Sequence, residues 1–145
     1  AGKGQPHFAT GSEMRSHLEF RSGALCDPHG TALRGELLAR QLVIGLPAQG
    51  YRIRKVVAED WGWCVALDNP GFALWIGCGA LAAYDDGHLC FIQPSKPRVW
   101  SWLGRVDASE SVERLASALE SCILRSGVAH HLRWWSEDEV QAGRG

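Results

Sequence analysis

The chain of 145 residues predicts an α+β fold: a two-layer sandwich with two helices on one face of a largely antiparallel sheet of about five or six strands, in the order β-α-β-β-β-β-α-β. Three observations predict it. Between Glu59 and Ile92 three stretches carry period-two or densely apolar patterns joined by turn-forming residues, the mark of a meander. Two other segments each carry a single apolar stripe at helical spacing. A helix with one stripe needs one packing surface, so the economical arrangement leaves the far face of the sheet open.

Residues 1–13 are polar and rich in Gly, Ser and Thr, without periodicity, and Met14 is the only methionine. This stretch resembles an expression-vector remnant and is expected to be disordered. The folded domain is expected over residues 14–136, followed by a frayed tail over 137–145. Ser16 to Ser22 alternates, with Leu18 and Phe20 on one side and His17, Glu19 and Arg21 on the other, as in a short strand with one wet face. Asp27-Pro28 offers a helix start with Asp as N-cap and Pro in the first turn. Leu33, Leu37, Leu38, Leu42 and Ile44 form the apolar stripe, and Gly45 and Pro47 end it.

Tyr51 to Val57 reads as a strand with Tyr51, Ile53 and Val57 opposite Arg52, Arg54 and Val56. Trp61, Trp63, Val65 and Leu67 then alternate with Gly62, Cys64 and Ala66. Asp68-Asn69-Pro70-Gly71 is a turn, because Asn and Gly tolerate left-handed geometry and Pro fixes φ. The return strand runs from Phe72 to Cys78, with Trp75 on the side opposite Leu74 and Ile76. Gly79 to Gly87 is a loop carrying Tyr84-Asp85-Asp86, and His88 to Ile92 is the third strand of the meander. Arg98 to Leu103, with Trp100 and Trp102, fits a strand or a helical turn. Asp107 with Glu110 resembles a capping box opening a helix through Val112, Leu115, Ala116, Leu119, Cys122 and Ile123 to Gly127. Val128 to Trp135 is the last strand.

The formal charge is −1, from 15 basic and 16 acidic residues, which gives no global case for nucleic acid. Arg52, Arg54 and Lys55 near tryptophans could form a small single-strand platform, but charges guarding an edge strand explain them equally. No apolar run approaches the length that spans a membrane, and no leader pattern is present, so a cytoplasmic protein is expected. Five cysteines, an odd number spread through core segments, read as free thiols in a reducing compartment.

The seven tryptophans are too many for a core of this size to bury fully, so some should lie at a surface or an interface. Trp75 projects from the open face if the helices cover Val65 and Leu67. The register near Gly62 decides whether Trp61 and Trp63 join it or belong to an aromatic core beneath the helices. Glu59, Asp60, Asp68, Asp85 and Asp86 place carboxylates at strand ends, where solvation is the ordinary state and no spacing fixes them as a metal or acid–base pair. Cys26-x-x-His29 and His88-x-Cys90 have metal-like spacing, yet two convergent pairs would be needed. His130 and His131, adjacent on a strand, are expected to point to opposite faces. Phosphate-loop, nucleophile-elbow and His-Glu-x-x-His patterns are absent, and neither cofactor nor metal is expected.

Glu59-Asp60-Trp61-Gly62-Trp63, Trp75-Ile76-Gly77-Cys78-Gly79 and Gly87-His88-Leu89-Cys90-Phe91-Ile92, with the Asp107 to Leu119 helix and Arg133-Trp134-Trp135, resemble a group of small bacterial proteins of uncharacterised function. The resemblance covers most of residues 50–135 and implies a standalone α+β protein of immunity or accessory type. It brings no catalytic residues. The expected function is therefore protein binding rather than catalysis, through Glu59, Asp60, Trp61, Trp63, Trp75, Tyr84, Asp85, Asp86 and His88. The partner is a basic protein or a second copy in a homodimer. The alternative is a small-molecule site or an enzyme with an aromatic-lined pocket.

Overall fold

The computed structural model describes residues 14–26, 34–101 and 104–144. Among the described residues there are eight strands: β1 (His17–Arg21), β2 (Ile53–Glu59), β3 (Gly62–Leu67), β4 (Leu74–Ala80), β5 (Gly87–Gln93), β6 (Arg98–Ser101), β7 (Gly104–Asp107) and β8 (His130–Trp135). Six of them form one sheet in the order β2-β3-β4-β5-β1-β8, antiparallel at every pairing. Two long helices, α1 (Glu36–Gly45) and α2 (Ser109–Arg125), complete the α+β sandwich. The first strand thus returns between β5 and β8 instead of beginning the meander. The Arg98–Leu103 stretch supplies β6, which pairs with β7 as a separate hairpin; Trp102 and Leu103 lie outside the described residues.

Alternation builds the core. Leu18 and Phe20 of β1, Val65 and Leu67 of β3, Leu74, Ile76 and Cys78 of β4, and Cys90 and Ile92 of β5 are all buried. They meet Leu38 and Leu42 of α1 and Val112, Leu115, Leu119 and Ile123 of α2 in one cluster. Removing such side chains from water is the main favourable contribution to folding, about 1.5–3 kcal/mol each.

The first helix differs from expectation at both ends. Asp27, Pro28 and Leu33 lie outside the described residues, and α1 starts after Gly35, whose φ is 92°. A Cβ at that position would lie 2.2 Å from the Cys78 carbonyl oxygen, so glycine lets the helix start close against β4. Ile44, assigned to the apolar stripe, is 74% exposed. It sits well round the helix from Leu38 and Leu42, which the 100° step per residue places on the covered side. The chain leaves through a 3₁₀ turn, Leu46–Gln49.

In β2 a register shift falls between Ile53 and Lys55, and Val56 pairs with Val65 while Val57 pairs with Cys64. Residues paired across an antiparallel ladder share a face. The shift therefore turns Val57 to the far side of the sheet from Ile53, against the expected alternation. Helix α2 begins one residue later than expected, with Ala108 at its N-cap position. Asp107 Oδ1 accepts from the Ser109 N–H at 2.9 Å and the Ser109 hydroxyl at 2.6 Å. A reciprocal capping box stands instead at Ser136 and Glu139, opening a short helical turn after β8.

Candidate functional site

Both long helices pack on the Val65/Ile76/Ile92 side, which leaves the other face of the sheet clear of them. Cross-strand register places Val57, Cys64, Gly77, Phe91, His17 and Trp135 in one row across all six strands of that face. Trp75 stands beside the row on β4. In β3 and β4 the neighbours are small: Cys64, Ala66, Gly77 and Gly79. They form a shallow trough, and aromatic rings lie in it.

Phe91 lies over Gly77, where a Cβ would be 2.2 Å from the ring. Trp61 belongs to the two-residue Asp60-Trp61 turn between β2 and β3, not to β3 itself. Its ring reaches back to 5.2 Å from Phe91 and 6.2 Å from Trp75, and Trp75 meets Phe91 edge-on at 5.7 Å. These separations suit tilted and edge-to-face aromatic pairs. Gly62 makes the return possible: its φ is 154°, and a Cβ there would lie 2.1 Å from the Cys78 carbonyl oxygen. Trp61 remains 44% exposed. His17 stacks on the other side of Phe91 at 6.0 Å, and the Arg133 guanidinium lies 3.8 Å above the Trp135 ring.

The carboxylates divide. Glu59 and Asp60, exposed beside Trp61, make no ion pair among the described residues. Asp86 accepts from Arg21 at 2.9 Å, and this bond holds its carboxyl below the usual range. The same guanidinium lies 4.4 Å over the Tyr84 ring, so Tyr84, Arg21 and Asp86 form one rim of the face. Asp85 is exposed in the same turn.

Two expected site residues face the helices instead. Trp63 packs against the core, with its indole N–H enclosed and without a hydrogen-bond acceptor among the described residues. His88 is 4% exposed, stacks on Phe20 at 5.2 Å, and lies with its Nε2 2.9 Å from the Ser22 carbonyl. A carbonyl only accepts, so Nε2 carries the proton. Burial pushes the pKa of His88 down, only partly offset by that bond.

The Cys26 thiol lies 3.7 Å from His88 Nε2, a pairing that neither expected Cys–His spacing contained; His29 lies outside the described residues. Burial and then Asp86 push the Cys26 thiol up, and an Nε2 already donating to Ser22 cannot take its proton. The pair is not a thiolate–imidazole nucleophile. Cys78 and Cys90 face each other across β4 and β5 in the core. His130 and His131 correct the sequence expectation. His131 has φ 61°, which breaks strand alternation and brings the two rings within 4.7 Å of each other. Among the described residues no group of three or more His, Cys, Asp or Glu side chains converges as a metal site.

The structure thus brings Trp61 and Trp75 together, with Glu59 and Asp60 beside Trp61, and gathers Tyr84 and Asp86 around Arg21. It adds Phe91, Gly77, His17 and Trp135. Trp61 was among the expected residues, its side left to the register near Gly62; Phe91 was not, although its alternation with Cys90 and Ile92 already placed it on this face. Comparison with protein-family models, curated proteins and solved structures gives no match.

Proposed function

We propose that the protein is a non-enzymatic binding module, of immunity or accessory type, that docks a basic protein segment on the uncovered face of its sheet. The observation that carries this reading is the Trp61–Trp75–Phe91 cluster. Trp75 and Phe91 sit on backbone held by ladders on both sides and the Trp61 ring leans on both, so little entropy remains to be lost on docking. Tryptophan anchors of this kind carry much of the energy of protein interfaces. The trough is filled by the protein's own rings, which favours a broad partner surface over a small ligand. The carboxylates of Glu59 and Asp60 stand at the cluster's edge without ion pairs among the described residues, complementary to Lys or Arg on the partner.

The test is affinity capture from the source organism's lysate followed by titration of the purified partner. A stoichiometric partner with a basic contact segment is expected. Its affinity should fall by about 2 kcal/mol in Trp61→Ala, roughly thirtyfold, and fall further with salt in wild type than in Glu59→Gln/Asp60→Asn. Because Trp61 lies in a turn, its removal leaves the ladder intact. Binding unchanged in both variants refutes the reading. A concentration-dependent dimer that hides Trp61 assigns the face to self-association instead.

A further inference from the structure

On the helix side, away from the aromatic face, a cleft of about 370 Å³ opens between α2, the 3₁₀ turn after α1 and the β3–β4 connection. Its volume lies at the low end for small-molecule sites. Leu74 and Ala118 supply apolar wall; Tyr51, Ser111, Arg114 and Ser117 supply polar groups. Among the described residues lining it, Arg114 is the only charged one.

Arg114, Tyr51, Ser111 and Ser117 present donors, whereas Gln49 and Asn69, which also line the cleft, donate their amide N–H groups to Ser121 Oγ and to the Pro70 and Phe72 carbonyls. Arg114 makes no ion pair among the described residues, and a guanidinium has donors only. Ser117 Oγ accepts from Arg15 Nη2 at 2.8 Å, which leaves its own O–H to donate. The charge of Arg15 is already answered by Glu113 at 3.1 Å and Glu120 at 3.7 Å. Burial pushes the Tyr51 phenol up, with Arg114 drawing it partly back, so the phenol keeps its proton at neutral pH. Ser111 and Ser117 stand on the same flank of α2 as Arg114, within about two turns of one another. The nearest acid on the β3–β4 connection, Asp68, faces Arg52 at 3.9 Å.

We propose that this cleft binds a small organic anion, a phosphate monoester or a carboxylate, with Arg114 holding the charge, the Tyr51, Ser111 and Ser117 hydroxyls donating to its oxygens, and its apolar body against Leu74 and Ala118. A neutral or cationic ligand leaves the guanidinium unanswered; an anion satisfies it and accepts the remaining donors.

Amide NMR titrations of the whole chain with phenyl phosphate and with benzoate test the assignment and separate the two chemistries. Shifts are expected at Gly50, Ser111 and Ser117. If phosphate is preferred, affinity for phenyl phosphate rises as pH passes its second ionisation near 6. If carboxylate is preferred, benzoate binds with a flat profile between about pH 5.5 and 8, because its charge is already complete. Arg114→Gln, an exposed helical position, should weaken binding at least about tenfold. Arg125→Gln, exposed on the same helix outside the cleft, should leave it unchanged. The proposal is overturned by no shift with either probe at about 10 mM, well above a single-charge millimolar affinity. It is equally overturned if Arg114→Gln has no effect or Arg125→Gln has the same effect. Because the cleft and the aromatic face lie on opposite sides of the sheet, either reading can fail without the other.

Discussion

Two glycine substitutions separate the backbone that builds the aromatic face from the rings that fill it. In Gly62→Ala the new Cβ meets the Cys78 carbonyl oxygen at 2.1 Å and its carbon at 3.1 Å, at φ 154°. Neither obstacle can rotate away, since the carbonyl belongs to the middle of the sheet. Unfavourable φ costs about 1–3 kcal/mol, and the backbone shift that relieves the clash costs a similar amount. The expected loss is about 4 kcal/mol, a large share of the roughly 5–15 kcal/mol that holds such a domain folded. In Gly77→Ala the nearest atoms, at 2.2, 2.5 and 2.6 Å, all belong to the end of the Phe91 ring. That ring can swing outward, forfeiting aromatic contacts worth about 0.5–1.5 kcal/mol while Ala recovers about 0.5–1 kcal/mol over Gly in a strand. The net change should be within about 1 kcal/mol. Urea midpoints at constant m-value measure the first quantity; near-ultraviolet circular dichroism from the Trp61–Trp75–Phe91 cluster reports the second. Gly62→Ala should lose stability heavily, whereas Gly77→Ala should keep its midpoint and lose its aromatic signal. Equal stability losses, or an unchanged aromatic spectrum in Gly77→Ala, refute the account of a ring seated on a glycine.

Stability should also fall with acid in a window set by His88. Its folded pKa lies below the usual value, so the unfolded chain binds the extra proton first. The contribution is complete above about pH 6.5 and is lost as pH falls toward the lowered folded value. Urea midpoints between about pH 7 and 5 should show a shallower slope in His88→Gln, and an identical slope contradicts the assignment. The Asp86 contribution, from a carboxyl held low by Arg21, is present above about pH 4 and disappears only below it. Asp107→Ala removes the acceptor from the Ser109 N–H and should lower the thermal midpoint. Thiol titration of the native protein should modify the half-buried Cys26 and Cys64 first. Cys78, Cys90 and Cys122 should react only on unfolding; rapid reaction of all five contradicts the packing.

The sandwich was legible because β3, β4 and β5 alternate and α2 carries one clean stripe. What escaped the pattern has local causes. In Arg54-Lys55-Val56-Val57 the two valines are adjacent, so period two cannot decide which is inside, and the register shift before Lys55 decides it instead. Trp61 continues the alternation of Trp63 and Val65 on paper, yet the strand starts only at Gly62. The positive φ of that glycine, invisible in a hydropathy pattern, releases Trp61 from the core side and aims it at Phe91. His88 was grouped with the neighbouring acids through chain proximity, although its spacing from Cys90 and Ile92 already matched the buried side. The cleft at Arg114 carries no local motif: its donors come from a turn and from two turns of a helix that are distant in sequence.

The division of small and large residues between the two faces bears on what kind of surface this is. A sheet face meant to be wet would carry charged or Thr-rich rows, and one meant for a third layer of helices would carry aliphatic residues. Here the central strands offer Cys64, Ala66, Gly77 and Gly79, and the flanking positions offer Trp61, Trp75, Phe91 and Trp135. Glycine weakens a strand by roughly 0.5–1 kcal/mol relative to alanine, so two of them at the centre of the sheet cost stability that the rings above must offset. The aromatic layer is then part of what holds the sheet, as well as its outer surface. A partner docking there would meet rings already locked, and the free and bound sheets should superpose closely. Heat-capacity change measures this directly: rigid docking should give the negative value set by the apolar area buried. A markedly larger value would signal folding coupled to binding, and would remove the premise that the rings are preorganised.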